Sequence, residues 1–112
     1  MDFSKLNGLV PAVVQDAATR DVLMVGFMNA DALARTRETG YATFFSRTRN
    51  CLWTKGETSG NRLAVLSAAV DCDEDTVLLR VRREGSGEVC HLGRLSCFLD
   101  APALVCGGGA RE

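Results

Sequence analysis

Leu9-Val10-Pro11-Ala12-Val13-Val14-Gln15 and, after six polar or small residues, Val22-Leu23-Met24-Val25-Gly26-Phe27-Met28 are the stretches that decide the fold. Each is short, apolar and rich in β-branched residues, and a turn-like segment, Asp16 to Asp21, separates them, so the pair reads as a β-hairpin. Pro11 has no N–H to give to a ladder, which places the first strand at a sheet edge. Asn29 then stands where a helix N-cap belongs, residues 30–39 are helix formers, and Gly40 suits the left-handed stop. Leu33, Ala34 and Arg37 give this helix an amphipathic reading. Downstream, Tyr41 to Ser46, Cys51 to Thr54, Arg62 to Val70 and Thr76 to Val81 have β character, separated by polar 47–50, a loop at 55–61 and an acidic stretch at 71–75. Residues 82–89 read as a polar turn with two glycines. The order β-β-α-β-β-β-β predicts an α+β domain, mostly antiparallel sheet with one main helix.

The chain of 112 residues is one domain's worth, with 46% hydrophobic and 24% charged residues, which argues against wholesale disorder. The expected domain occupies residues 1–100, and the triple-glycine end, 101–112, is expected to be a flexible tail. A net charge of −1 excludes the strongly basic profile of a simple nucleic-acid binder. No apolar run reaches the ~18–20 residues of a membrane span, and Met1 to Val10 lacks the pattern of a secretory signal. Five cysteines, an odd number, argue for free thiols in a reducing compartment, hence a cytoplasmic location.

Three segments carry candidate chemistry. In Asp71-Cys72-Asp73-Glu74-Asp75, three aspartates recur at a period of two. An extended chain would put them on one face and Cys72 with Glu74 on the other. A hard, oxygen-seeking cation such as Mg²⁺ would relieve their mutual repulsion, and a solvated acidic turn is the plain alternative. Cys72, Cys90 and Cys97 are three thiols suited to zinc; a three-ligand site leaves a fourth position for water and brings its pKa to about 7. Small buried cysteines are the alternative there, and that ordinary role is the one expected of Cys51 and Cys106. His91, the only histidine, directly follows Cys90 and is a candidate general acid or base. The third segment, Lys55-Gly56-Glu57-Thr58-Ser59-Gly60-Asn61, offers hydroxyls and backbone N–H groups to phosphate, with Arg47 and Arg49 upstream, though an ordinary surface loop would look similar.

Together, Leu9–Asp16, Val22–Met24, Phe27–Asn29, Phe44–Arg49, Leu52–Asn61, Val70–Thr76 and Cys90–Phe98 resemble the phosphoribosyl-AMP cyclohydrolases of histidine biosynthesis, colinearly over residues 9 to 98. The resemblance implies hydrolytic opening of the purine N1–C6 bond of phosphoribosyl-AMP, the third step of that route. It implies zinc on Cys72, Cys90 and Cys97 and Mg²⁺ on Asp71, Asp73 and Asp75, beside which His91 stays the catalytic candidate read from the residues. Substrate contacts are expected from Ser46, Arg47, Arg49, Trp53, Lys55, Glu57, Thr58, Ser59, Gly60, Asn61 and Arg94. It further implies an intertwined homodimer in which Cys72 meets Cys90 and Cys97 of the other subunit. Leu92 stands where the family usually has threonine. Some relatives carry a fused pyrophosphohydrolase; 112 residues leave no room for one, so a separate chain is expected to perform the preceding step. The competing expectations are a non-catalytic zinc module closed by His91 and a redox-sensing thiol protein, the latter weakened by the lack of a C-x-x-C pair.

Overall fold

The computed structural model describes residues 1–98 and 104–105. Strands β1 (Val10–Asp16) and β2 (Val22–Met28) form the expected antiparallel hairpin, followed by helix α1 (Ala30–Thr39), β3 (Thr43–Ser46), β4 (Cys51–Thr54), β5 (Leu63–Val70) and β6 (Val77–Arg83). The main sheet runs β2-β1-β6-β5, and β3 and β4 make a separate two-stranded ribbon. All pairings are antiparallel except β1 with β6, which is parallel.

That parallel pairing corrects the edge assignment of β1, which is an interior strand. Pro11 is tolerated because pairing with β6 starts one residue later, at Ala12. Strand β1 alternates strictly, with Val10, Ala12, Val14 and Asp16 buried. The first three join Leu23, Met28, Phe44, Leu63, Val77, Leu79, Val81 and Val89 in the core. Strand β6 extends to Arg83, so the turn read from Arg82 begins later.

Helix α1 has its expected bounds. The Asn29 side chain accepts from the Ala32 N–H at 2.8 Å, and Gly40 closes the helix at φ 79°. Its buried face is Ala32, Leu33 and Thr36, whereas Ala34 and Arg37 are exposed. Thr36 replaces the expected apolar residue because its hydroxyl is satisfied internally, donating to the Ala32 carbonyl at 2.9 Å and accepting from the Thr43 N–H at 3.0 Å. Gly26 lets the ring of Phe44 lie against β2: a Cβ there would stand 2.6 Å from a ring carbon. That contact attaches the β3–β4 ribbon to the sheet, and within the ribbon Phe44 packs on its cross-strand partner Trp53, ring centroids 5.1 Å apart. The expected tail, with Cys106, falls outside the described residues apart from the exposed Leu104 and Val105.

Candidate active site

The loop after β4 is knitted by its own backbone. The Gly60 N–H donates to the Gly56 carbonyl at 2.8 Å. Gly56 has φ 79°, and a Cβ on it would stand 2.2 Å from the Asn61 carbonyl oxygen, so only glycine fits. The loop walls two neighbouring cavities. One, of about 430 Å³, is lined by Ser46, Thr48, Arg49 and Trp53 through Ser59. The other, of about 250 Å³, shares Lys55, Gly56 and Ser59 with it and is closed by Asn61, Glu88, Cys90, His91 and Gly93.

Most of the expected substrate residues are thus brought together. Arg47 differs: its guanidinium stacks over the Phe27 ring at 4.1 Å and does not line the larger cavity. Asn61 spends its amide oxygen on the Ser86 N–H at 2.9 Å, fastening loop 55–61 to the turn after β6. The Arg94 carbonyl accepts from the N–H groups of Val89 and Cys90, closing the turn that carries His91. Of the polar lining residues, Thr48, Thr54 and Glu88 were missed by sequence reading. Thr48 lies inside the arginine-bearing turn and Thr54 directly precedes the loop, so position alone is a signal for both; Glu88 has no local motif and enters only through tertiary packing.

Cys90 is buried and Cys97 exposed, and the two thiols are near enough to influence each other's titration. Burial pushes the Cys97 thiol up, and the contact and charge of Cys90 push it further, while the Lys55 ammonium opposes both. The glycine loop lies beside Cys90, since Lys55, Gly56 and Ser59 line one cavity with it. A spatially close dithiol therefore exists without a C-x-x-C spacing. A raised thiol pKa is the reverse of what a reactive redox sensor needs.

Cys72 is elsewhere. It occupies the β5–β6 loop, before Val77, whereas the Cys97 N–H bonds the Leu23 carbonyl on β2, two strands away from β6. Among the described residues the three thiols do not come within ligand distance of one another. A single chain does not assemble the three thiols, nor a Cys₃His site with His91.

The aspartates do converge: one carboxylate oxygen each from Asp71, Asp73 and Asp75 lies within 4.8 Å of the others. The expected cause is corrected, however. The segment is a turn, with Glu74 at φ 61°, and not an extended chain. The Asp71 carboxylate accepts from the N–H groups of Asp75 and Thr76 at 3.0 and 3.1 Å, folding the loop back on itself. Lys5 answers part of the negative charge, 3.0 Å from Asp75 and 3.4 Å from Asp73. That bond to Lys5 is the main reason the Asp75 carboxyl sits below the ordinary carboxylate range. An all-oxygen donor set suits a hard cation, and the thiol pair suits half of a zinc site.

These features define a small α+β domain with a glycine-walled polar cleft, a thiol pair at one end of its sheet and a carboxylate cluster at the other. Residues 24–99 match the family described as phosphoribosyl-AMP cyclohydrolase, PRA-CH. The chain belongs to that family. It is 52% identical over 99 residues to the histidine biosynthesis bifunctional protein HisIE of Buchnera aphidicola, covering 88% of this chain and 45% of that protein. With the HisIE of Xanthomonas campestris the identity is 53% over 107 residues, 96% of this chain and 51% of the relative. The phosphoribosyl-AMP cyclohydrolase of Solibacter usitatus is 56% identical over 98 residues, 88% of this chain and 77% of the relative. The chain thus spans about half the length of the bifunctional relatives and most of the single-function one.

Proposed function

We propose that this protein is a phosphoribosyl-AMP cyclohydrolase, hydrolysing the N1–C6 bond of the substrate's purine ring in the third step of histidine biosynthesis. The single observation that carries the reading is the joined cleft, in which loop 55–61 meets Cys90 and His91. Family membership supplies the substrate. Lys55, Arg49 and the backbone donors of the glycine loop bind the phosphate-bearing arms by charge-assisted hydrogen bonds. Trp53, already packed on Phe44, offers a ring face to the purine. His91, exposed at the rim beside Cys90, is placed to move a proton at the opening ring nitrogen or at the attacking water. Glu88 lines the same cavity and adds a second group able to take a proton.

Cys72, Cys90 and Cys97 would hold zinc, and Asp71, Asp73 and Asp75 would hold Mg²⁺. Zinc, when bound, supplies the Lewis acidity that makes water a usable nucleophile near pH 7. The separation of Cys72 from the thiol pair supports a site completed between two copies of the chain. So does β5, an edge strand whose residues Leu66 to Val70 are all exposed, with Leu66 at 56% and Val70 at 46%. An apolar edge of this kind invites pairing. The proposed state is a homodimer acting in the cytoplasm; among the described residues no helix is long and apolar enough to cross a membrane.

The test is direct. Purified protein with zinc, Mg²⁺ and phosphoribosyl-AMP should show the ultraviolet change of purine ring opening. Retention of the intact purine by metal-loaded, folded protein would refute the assignment.

A further inference from the structure

Three hydrogen bonds tie the segment bearing Cys97 to the sheet, and one ion pair anchors the arginine that makes one of them. The Ser96 hydroxyl, buried, donates to the Val22 carbonyl at 2.7 Å and accepts from the Phe98 N–H at 3.0 Å. The Cys97 N–H donates to the Leu23 carbonyl at 2.8 Å. Arg83, the last residue of β6, donates through Nη1 to the Leu95 carbonyl at 3.3 Å. Its Nε simultaneously lies 2.9 Å from Oδ2 of Asp16, the last residue of β1, the two side chains being 19% and 8% exposed. Asp16 is itself held, since Oδ1 accepts from the N–H groups of Ala18 and Thr19 at 2.8 and 2.9 Å. One planar guanidinium thus joins the ends of two parallel interior strands to the loop between the two thiols.

We propose that Arg83, oriented by Asp16, is a positioning residue for the thiol pair: by clamping Leu95 it fixes where Cys97 stands relative to Cys90. The clamp matters because Cys97 lies in a segment without helix or strand, so its position depends on these few bonds. Arginine suits the task, its separate N–H groups addressing a carboxylate and a carbonyl at once, whereas an ammonium on a flexible stem addresses them poorly together. The consequence for zinc rests on the reading of these thiols as its ligands; the consequence for the segment's rigidity does not.

The experiment compares full-length, zinc-loaded wild type with Arg83→Gln, Arg83→Lys and the control Arg82→Gln, whose arginine is exposed and pairs with Glu84 instead. Two quantities are read: zinc affinity by chelator competition, and amide exchange of residues 94–98 relative to β1. Loss of a partner that orients a ligand weakens metal binding by roughly 10–100-fold. That loss is expected for Arg83→Gln and, less severely, for Arg83→Lys, which keeps the Asp16 pair and hence the fold. Exchange at 94–98 should rise on the order of tenfold in both while β1 stays protected, because only the segment is released. Arg82→Gln should match wild type in both measurements. Unchanged exchange at 94–98 in Arg83→Lys, or a rise shared equally by β1, would overturn the clamp. Wild type that takes up no zinc would count against the thiolate reading alone, and the exchange data would still decide the clamp.

Discussion

Asp16 shows how one residue is read differently by sequence and by structure. Its polar character assigns it to the turn after β1, yet it continues the buried phase set by Val10, Ala12 and Val14. A carboxylate in that phase needs partners, and it has two backbone N–H groups and Arg83. Burial alone would push its carboxyl up; those hydrogen bonds and the arginine outweigh burial, and it ends below the ordinary carboxylate range. A depressed folded-state pKa adds stability that is complete well above the unfolded value of about 3.9 and is lost as pH falls through the folded value. Urea midpoints should therefore fall as the pH drops below about 4, and Asp16→Asn should flatten that dependence. The same substitution should cost about 1–3 kcal/mol at pH 7, since it leaves Arg83 with half its partners. A pH profile in Asp16→Asn as steep as in wild type would contradict this account.

At the scale of elements, the hairpin β1–β2 and the ribbon β3–β4 meet where Gly26 faces Phe44. The ring is fully buried, so an added methyl group cannot be accommodated by swinging it into solvent. Gly26→Ala should destabilise the fold by roughly 1–3 kcal/mol, the cost of overpacking, measurable as a lowered urea midpoint with an unchanged slope. The β5–β6 loop makes a different prediction. Its three aspartates converge because Asp71 bends the chain around its own carboxylate. Asp73→Asn preserves shape and removes one charge. Mg²⁺ titration followed by calorimetry should then require a higher ion concentration, with zinc content unaltered, since the substitution touches none of the three thiols. Wild-type Mg²⁺ behaviour in that variant would favour a solvated acidic turn.

For the whole molecule, the distance between Cys72 and the thiol pair makes assembly and metal binding a single question. Cys72→Ser, Cys90→Ser and Cys97→Ser should each lose zinc by mass spectrometry, and Cys51→Ser should retain it. Mixing Cys72→Ser with Cys97→Ser should restore part of the activity, because one site of the hybrid dimer receives three native thiols. No recovery after proven subunit exchange would leave the shared site without support.

Local chemistry was legible from the chain alone. Helix α1 is bounded by Asn29 and Gly40 because a cap side chain and a left-handed residue act within a few positions. The β-β-α-β-β-β-β order follows from short apolar runs and the polar segments between them, and the cleft loop from its glycines. The cysteine and aspartate motifs, in their order, carried the family. What only tertiary structure decided lies between residues distant in sequence. The parallel pairing of β1 with β6 made Pro11's strand an interior one, and no local pattern encodes which strands become neighbours. Asp16 found Arg83 and Glu88 entered the cleft through the same long-range packing. The aspartates met through a turn instead of strand alternation, since an Asp side chain that bonds its own backbone outcompetes extension. One chain leaves Cys72 on the β5–β6 loop and Cys97 against β2, a separation set by which strands become neighbours and invisible in the spacing of the cysteines.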